Sequence, residues 1–290
     1  MKKVVILGCE NSHANTFLNF IKEGAYPEIE IIGVYSEDTS AAEKLSEMFG
    51  VKVMSAFDEA AGEVDGVVVT ARHGDNHYKY AKPYIKSGVA MFIDKPVTIN
   101  EQEAVKFMQQ LKCADVQVTG GSCCKYIDFI QELKGEHAQN KHGKTVGGFM
   151  RAPVSLNNDY GNFFFYSQHL VEMVCEVYGH YPLSVQAFVN NGKVTVVFRY
   201  ENYDITALFV EDSNSYYAAR YSEQGAAAKE INLTGESPCF RSEFDEFHKL
   251  LLGEKQKRSY KDFISPVFVL NAINRSITSG KEEKVTRYEV

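Results

Sequence analysis

The first 120 residues alternate apolar runs of strand length with amphipathic stretches of helical period, and this constrains the fold more than any other feature. Val4–Leu7 ends at Gly8 and reads as a buried parallel strand. Ala14, Phe17, Leu18 and Ile21 follow at helical spacing, with Ser12 available as N-cap and Gly24 as C-cap. Ile29–Tyr35, Val51–Met54, Gly66–Thr70, Val89–Ile93 and Gln117–Thr119 are the further expected strands. The helices between them are expected over Ser40–Phe49, over Asp75–Ser87 with Pro83 forcing a late start or a kink, and from Asn100 to about Cys113. Such alternation predicts an α/β domain with a doubly wound parallel sheet. Sheets of this kind bind ligands beyond the carboxyl ends of their strands. The segments to inspect are therefore Gly8–His13, Ser36–Asp38, Arg72–His77 and Asp94-Lys95-Pro96.

The period changes in the second half. A helix is expected near Tyr126–Leu133, a strand over Gly147–Arg151 and a helix over Phe163–Tyr178. Then come five short runs, Leu183–Asn190, Val194–Tyr200, Ile205–Glu211, Tyr216–Ser222 and Ala226–Leu233, broken by turn residues such as Asn191-Gly192. They predict a mainly antiparallel meander, an open sheet in a C-terminal α+β domain. Helices over Glu243–Leu252 and Ile264–Ser279 close the chain. A length of 290 residues fits about two domains. The expected division is 1–122, a dinucleotide-binding domain, and 123–290, a substrate-binding and oligomerisation domain.

Composition excludes several classes. Net charge is −7, so no domain-wide basic field exists to hold a nucleic acid. Apolar runs such as Val89–Ile93 fall far short of the roughly 20 residues a membrane span needs. A start of Met1-Lys2-Lys3 before Val4–Leu7 resembles a signal peptide, but Glu10, Asn11 and Ser12 interrupt it too early. The six cysteines show no C-x-x-C or zinc-finger spacing and read as reduced, mostly buried thiols of a cytoplasmic protein. Cys123-Cys124 with His73 and His77 invites a metal, but nothing in the spacing demands one, and none is expected.

Gly8-Cys9-Glu10-Asn11-Ser12-His13 lies where a glycine-rich phosphate loop would. Its second and third glycine positions are Glu10 and His13. The second glycine normally lets the backbone approach a pyrophosphate, and a carboxylate there works against it. Like unit charges about 4 Å apart repel by about 1 kcal/mol in water and about 4 at an effective dielectric near 20. Either Glu10 points away, or cofactor affinity is weak, or the site binds something else. A dinucleotide with a weak phosphate grip is expected, tightened by Glu10→Gly if the carboxylate faces the pyrophosphate; the bland alternative is a strand-to-helix turn with no ligand. After the second strand, Ser36 is neutral, no Arg follows, and Glu37 and Asp38 lean towards NAD over NADP, unless they merely start a helix. Thr70, His73 and His77 are expected along the cofactor edge. Asp94-Lys95-Pro96 follows a strand, which puts Lys95 over the ligand edge of the sheet rather than on a solvated surface.

Here the residues resemble a known family. His77, Ser87-Gly88, the strand Val89–Ile93 and Asp94-Lys95-Pro96 are similar to the H…G, strand and E-K-P pattern of the Gfo/Idh/MocA oxidoreductases, which begin with a Rossmann domain. In the second half, His169-Leu170-Val171-Glu172 resembles the family's H-x-x-D helix, followed by a meander and a last helix ending at Ser276–Gly280. The resemblance covers nearly the whole chain. It implies an NAD- or NADP-dependent dehydrogenase or reductase acting on a secondary alcohol of a sugar, polyol or related small molecule. Gly8, Glu10, Asn11, Ser12, His13, Ser36, Thr70, His73, His77, Asp94 and Lys95 would hold the cofactor. Lys95 would also contact the substrate hydroxyl across an interdomain cleft, and His169 would take its proton. It further implies a homodimer or homotetramer formed through the C-terminal sheet.

This sequence departs from the family at three places. Phe165 stands where a carboxylate usually precedes the histidine, leaving Tyr166 as the candidate to orient the imidazole. Glu10 interrupts the phosphate loop. The chain is also shorter than the family's sugar dehydrogenases. These departures keep two alternatives open: a catalytically silent sensor or regulatory binding protein, and a lyase or glycosidase that uses bound NAD transiently.

Overall fold

A computed structural model describes residues 1–290 and divides them into two units. The first comprises residues 1–121, 240–263 and 290. Its elements are β1 (Lys2–Leu7), α1 (Ser12–Lys22), β2 (Ile29–Tyr35), α2 (Thr39–Phe49), β3 (Gly66–Val69), α3 (Asp75–Ala81), β4 (Ala90–Asp94), α4 (Glu101–Cys113) and β5 (Val118–Gly121). The five strands are parallel, in the order β2-β1-β3-β4-β5. Val4–Leu7, Val67–Val69 and Met91–Ile93 are fully buried, as strands covered on both faces require. Asn11, Asp38 and Asn100 cap α1, α2 and α4 through side-chain oxygens that accept backbone N–H bonds, so the first helix is capped by Asn11 and not by Ser12.

Three expectations differ here. Residues 51–54 form no strand; Val53 makes a single bridge to Val34. The stretch from Asp75 to Ser87 splits into α3 and a 3₁₀ turn, Lys82–Ser87, with Pro83 in its first turn, where a missing N–H costs little. Residues 240–263 belong with the first unit, although the sequence reading places everything after 122 in the second. The reason is the apolar face of α7 (Pro238–Leu251): Phe244, Phe247, Leu250 and Leu251 join Phe17, Tyr26, Val68 and Phe92 in one core cluster.

The second unit comprises residues 122–239 and 264–289. Its strands are β6 (Thr145–Pro153), β7 (Ser184–Asn190), β8 (Lys193–Arg199), β9 (Asp204–Val210), β10 (Tyr216–Ser222), β11 (Gly225–Ile231) and β12 (Glu283–Lys284). They form one sheet in the order β11-β10-β6-β9-β8-β7-β12. The expected five-strand meander is thus enlarged to seven strands and is mixed, because β6 inserts between β10 and β9 and pairs parallel with β9. Helices α5 (Asp128–Ala138) and α6 (Phe163–Tyr178) pack against β6, β9 and β10. Val194, Val196 and Phe198 are buried, while Thr195, Val197 and Arg199 on the opposite side are only partly covered, as the alternation requires. The last helix, α8, runs Tyr260–Ser279. No helix of the chain is long and apolar enough to cross a membrane.

Candidate active site

In the first unit the site is built where β1, β2, β3 and β4 end. Gly8 follows β1 at φ +74°, and a Cβ there would meet the backbone of Ala71 at 2.4 Å, so only glycine lets the loops after β1 and β3 approach this closely. Thr70 tightens the same contact by donating from Oγ1 to the Gly8 carbonyl at 3.1 Å.

Asp94, at the end of β4, is fully buried and draws the first turn of α1 to itself. Asn11 Nδ2 donates to its Oδ2 at 3.0 Å, the Lys95 N–H donates to its Oδ1 at 2.7 Å, and His13 Nδ1 lies 2.9 Å from Oδ2. Burial works against the charge, but the neighbouring His13 imidazole and the Lys95 ammonium prevail and hold the carboxyl at about 2. Lys95 is itself buried, and its peptide bond to Pro96 is cis. His77 is completely buried; its Nε2 lies 2.7 Å from the Ala71 carbonyl, and burial lowers its pKa, favouring the neutral ring. Ser12 and His73 are nearer solvent, Ser12 donating to Asn11 Oδ1 and His73 Nδ1 accepting from the Asp75 N–H.

Glu10 points away from the first turn of α1, one of the placements the sequence leaves open. Its Oε2 accepts from Ser36 Oγ at 2.7 Å and its Oε1 from the Arg72 N–H at 3.0 Å. The carboxylate is carried sideways onto the ends of β2 and β3 instead of lying over the first turn of α1. The expected repulsion of a pyrophosphate thereby loses its geometric basis. The residues fit a dinucleotide: an eleven-residue helix begins at the strand edge, and the one carboxylate in its loop is held aside.

In the second unit the focus is His169 on α6, one turn past the expected Tyr166. Ser122, the residue after β5, places Oγ 2.6 Å from His169 Nδ1, and Cys124 Sγ lies 3.4 Å from the same nitrogen. Ser122 Oγ also accepts from the Cys124 N–H at 3.1 Å in the 3₁₀ turn Cys123–Tyr126. The group nearest Nδ1 is thus the serine hydroxyl. Tyr166 meets the imidazole ring at 4.8 Å between centroids, at 67°, and burial pushes its phenol pKa up. Phe165 packs on Tyr160 at 5.0 Å.

Glu172, one turn further along α6, fixes the segment that carries Ser122. It accepts from the Ser122 N–H at 2.9 Å and from Gln168 Nε2 at 2.7 Å, and forms a buried ion pair with Lys125 at 3.0 Å. The sequence reading passes over Ser122 and Lys125 and weighs Cys124 only as a thiol or metal ligand beside His73 and His77; the available signal is Gly120-Gly121, which ends a strand at the ligand edge. Five of the six cysteines are buried, and two of them, Cys9 and Cys124, are shifted in opposite directions. Burial pushes Cys9 up to about 12. At Cys124 burial pushes the same way, but the Cys123 hydrogen bond, His169 and Ser122 outweigh it, and the thiol falls well below its usual range. Cys123 Sγ, Cys124 Sγ and a His169 ring nitrogen lie within 4.8 Å of one another.

Comparison with known proteins finds a family match in the first half of the chain. Residues 2–122 match an oxidoreductase family described as having an NAD-binding Rossmann fold. The matched model is that of the Gfo/Idh/MocA oxidoreductases, and the match covers the Rossmann half of the chain. A curated relative, the glucose-6-phosphate 3-dehydrogenase of Bacillus subtilis (strain 168), is 26% identical over 149 residues. That match covers 50% of this chain and 41% of the relative, so the matched part spans about two fifths of the curated protein.

Solved structures extend the likeness of fold to the whole chain. A protein described as a myo-inositol dehydrogenase from Sinorhizobium meliloti 1021 superposes with a TM-score of 0.84 at 16% identity, covering 99% of this chain and 100% of that one. The apo scyllo-inositol dehydrogenase of Lactobacillus casei gives 0.85 at 14%, covering 98% of each. The WlbA dehydrogenase of Bordetella pertussis, solved with NADH and UDP-GlcNAcA, gives 0.83 at 13%, covering 99% of each. At these identities the likeness establishes the fold alone: a Rossmann sheet followed by an open, mainly antiparallel α+β domain.

Proposed function

We propose that this Gfo/Idh/MocA protein is an NAD(P)-dependent oxidoreductase that moves a hydride between a nicotinamide and a secondary alcohol of a sugar, polyol or related small molecule. The observation that carries the reading is the 2.6 Å contact of Ser122 Oγ with His169 Nδ1. With Nδ1 carrying its proton and donating to Ser122, Nε2 keeps the lone pair that a hydroxyl proton needs. Cys124, biased towards the thiolate, stands beside the ring on which positive charge develops. The dehydrogenase names of the curated relative and of the structural neighbours support the same reaction class.

Within this reading the nicotinamide, when bound, accepts or returns the hydride. The chain's own residues do the rest. His169 holds the hydroxyl proton, Ser122 sets the orientation of the ring, and Glu172 with Lys125 fixes the turn that carries Ser122. Lys95, set at the strand edge by Asp94 and the following Pro96, is the proposed contact of the substrate hydroxyl. Gly8, Asn11, Ser12, His13, Ser36, Thr70, His73, His77 and Asp94 form the proposed cofactor rim, of which Asp94 and His77 serve chiefly to brace its loops.

The second sheet supports an oligomer. Its outer face presents Phe149 beside Tyr217, with ring centroids 5.9 Å apart, together with Leu208, Val197 and a 52% exposed Phe188. Apolar surface of this kind is usually an interface. The proposed assembly is a homodimer or homotetramer through that face. A reducing, cytoplasmic setting suits six cysteines that are all thiols.

The test is a titration with NADH, read by reduced-nicotinamide fluorescence in a protein without tryptophan. Saturable binding is expected, followed by reduction of NAD on addition of a polyol or sugar from a panel. Absence of dinucleotide binding would sink the proposal in favour of a silent binding protein.

A further inference from the structure

We propose that Glu10 supplies the ribose-binding carboxylate of the dinucleotide site, replacing the acidic residue that ordinarily ends the second strand, and thereby selects NAD over NADP. The proposal rests on the nucleotide-binding reading above. In a Rossmann domain, an Asp or Glu at the end of β2 accepts hydrogen bonds from the adenosine ribose hydroxyls. Here β2 ends at Tyr35, and the next residue is the uncharged Ser36. The vacancy is chemical and not spatial. Glu10 reaches across from the loop after β1 and sets its Oε2 2.7 Å from Ser36 Oγ.

Two bonds hold the carboxylate there. Ser36 Oγ donates to Oε2, and the Arg72 N–H after β3 donates to Oε1 at 3.0 Å. Ser36 is fixed in turn, because its Oγ accepts from the Asp38 N–H at 3.0 Å. An ionised carboxylate offers about four lone-pair directions, and these two bonds use two. The remainder can accept from a vicinal diol. A carboxylate pinned at this edge is pre-organised for two hydroxyls, whereas a 2′-phosphate would bring like charge against it.

The surrounding charges bear on the choice. Glu37 and Asp38 follow directly, Glu37 being paired with Lys79 at 2.8 Å. The Arg72 guanidinium, which acts on Asp38, is the cation of this rim that would favour a phosphate. Glu10 and Arg72 therefore pull in opposite directions, and a substitution that removes only the charge of Glu10 separates them.

The experiment titrates NADH and NADPH separately into the wild-type chain, Glu10→Gln and Glu10→Gly, with thermal unfolding as the check of folding. Wild type is expected to bind NADH at least about tenfold more tightly than NADPH, one well-placed charge being worth about that much. Glu10→Gln should weaken NADH about tenfold and bring the two nucleotides near parity. Three results would overturn the role: a wild type that prefers NADPH, an unchanged preference in Glu10→Gln, or tighter NADH binding by Glu10→Gly. A wild type that binds neither nucleotide refutes the dinucleotide reading and this inference with it; binding with an unchanged preference refutes only the inference.

Discussion

Ser122 Oγ and His169 Nδ1, 2.6 Å apart, join the residue that follows β5 to the helix that carries the proposed base. In this chain a hydroxyl occupies that ring nitrogen, while position 165, one turn earlier on α6, is a phenylalanine packed on Tyr160. Ser122→Ala removes that partner without touching the fold of α6. It is expected to lower kcat about tenfold, the worth of one hydrogen bond lost from the transition state, with NADH affinity unchanged. Ser122 has extended backbone angles that threonine adopts readily, so Ser122→Thr should restore most of the rate. Tyr166→Phe should cost less than Ser122→Ala. Steady-state kinetics of the three variants checks the order; a Tyr166→Phe loss larger than that of Ser122→Ala would return the orienting role to the phenol.

Cys124 provides a spectroscopic prediction. Its thiol is held well below the ordinary thiol range by the Cys123 hydrogen bond, His169 and Ser122 against the cost of burial. The ultraviolet thiolate band of the wild-type protein should therefore appear well below about pH 8.5, the ordinary thiol value. Cys124→Ser should remove it and Cys9→Ser should not, since burial pushes Cys9 up to about 12. A band unaltered in Cys124→Ser would contradict the assignment.

Much of this was legible beforehand, and what was missed has physical causes. Strand and helix alternation fixed the Rossmann half because each parallel strand must be apolar throughout, as Val4–Leu7 and Met91–Ile93 are. The bounds of α6, Phe163–Tyr178, were read correctly from a long helical pattern. Strand β6 inserting between β10 and β9 was not legible, because pairing order leaves no mark on the alternation within a strand. Nor was the return of α7 to the first unit: an amphipathic face says that it must be covered, not by which sheet. At the site, residue types at strand ends were readable, but the direction of a long side chain was not. The sequence leaves open whether Glu10 faces a phosphate or points away, and hydrogen bonds from Ser36 and Arg72 turn it away.

Asp94 makes stability depend on acid in a defined window. Its folded-state value of about 2 lies below the unfolded value of about 3.9. Its contribution is therefore present above about pH 4 and is lost as pH falls towards 2. Asp94→Asn breaks a buried charged contact and should cost about 3 kcal/mol near neutrality. Urea unfolding of both proteins should show that gap narrowing over the same interval. A gap that stays constant down to pH 2 would show that the Asp94 charge is not stabilised as described.

The outer face of the second sheet gives a prediction about assembly. Phe149 and Tyr217 stand side by side on neighbouring strands, on the face opposite Met150 and Ala218. Phe149→Glu would place a charge in a proposed apolar interface and should convert the oligomer to monomer with little loss of thermal stability. Light scattering at micromolar concentration checks both proteins. A monomeric wild type would remove the interface altogether.

The central claim is hydride transfer with His169 as the proton acceptor. The most direct measurement follows the absorbance of reduced nicotinamide while wild type and His169→Ala are mixed with NAD and a panel of polyols, inositols and sugar phosphates. The account predicts that at least one secondary alcohol is oxidised by wild type. It predicts that His169→Ala loses at least about a hundredfold in kcat, the lower bound for a positioned base, while NADH affinity is kept. Full turnover by His169→Ala would contradict the assignment, and a wild type that binds NADH but reduces NAD with no member of the panel would contradict the proposed reaction.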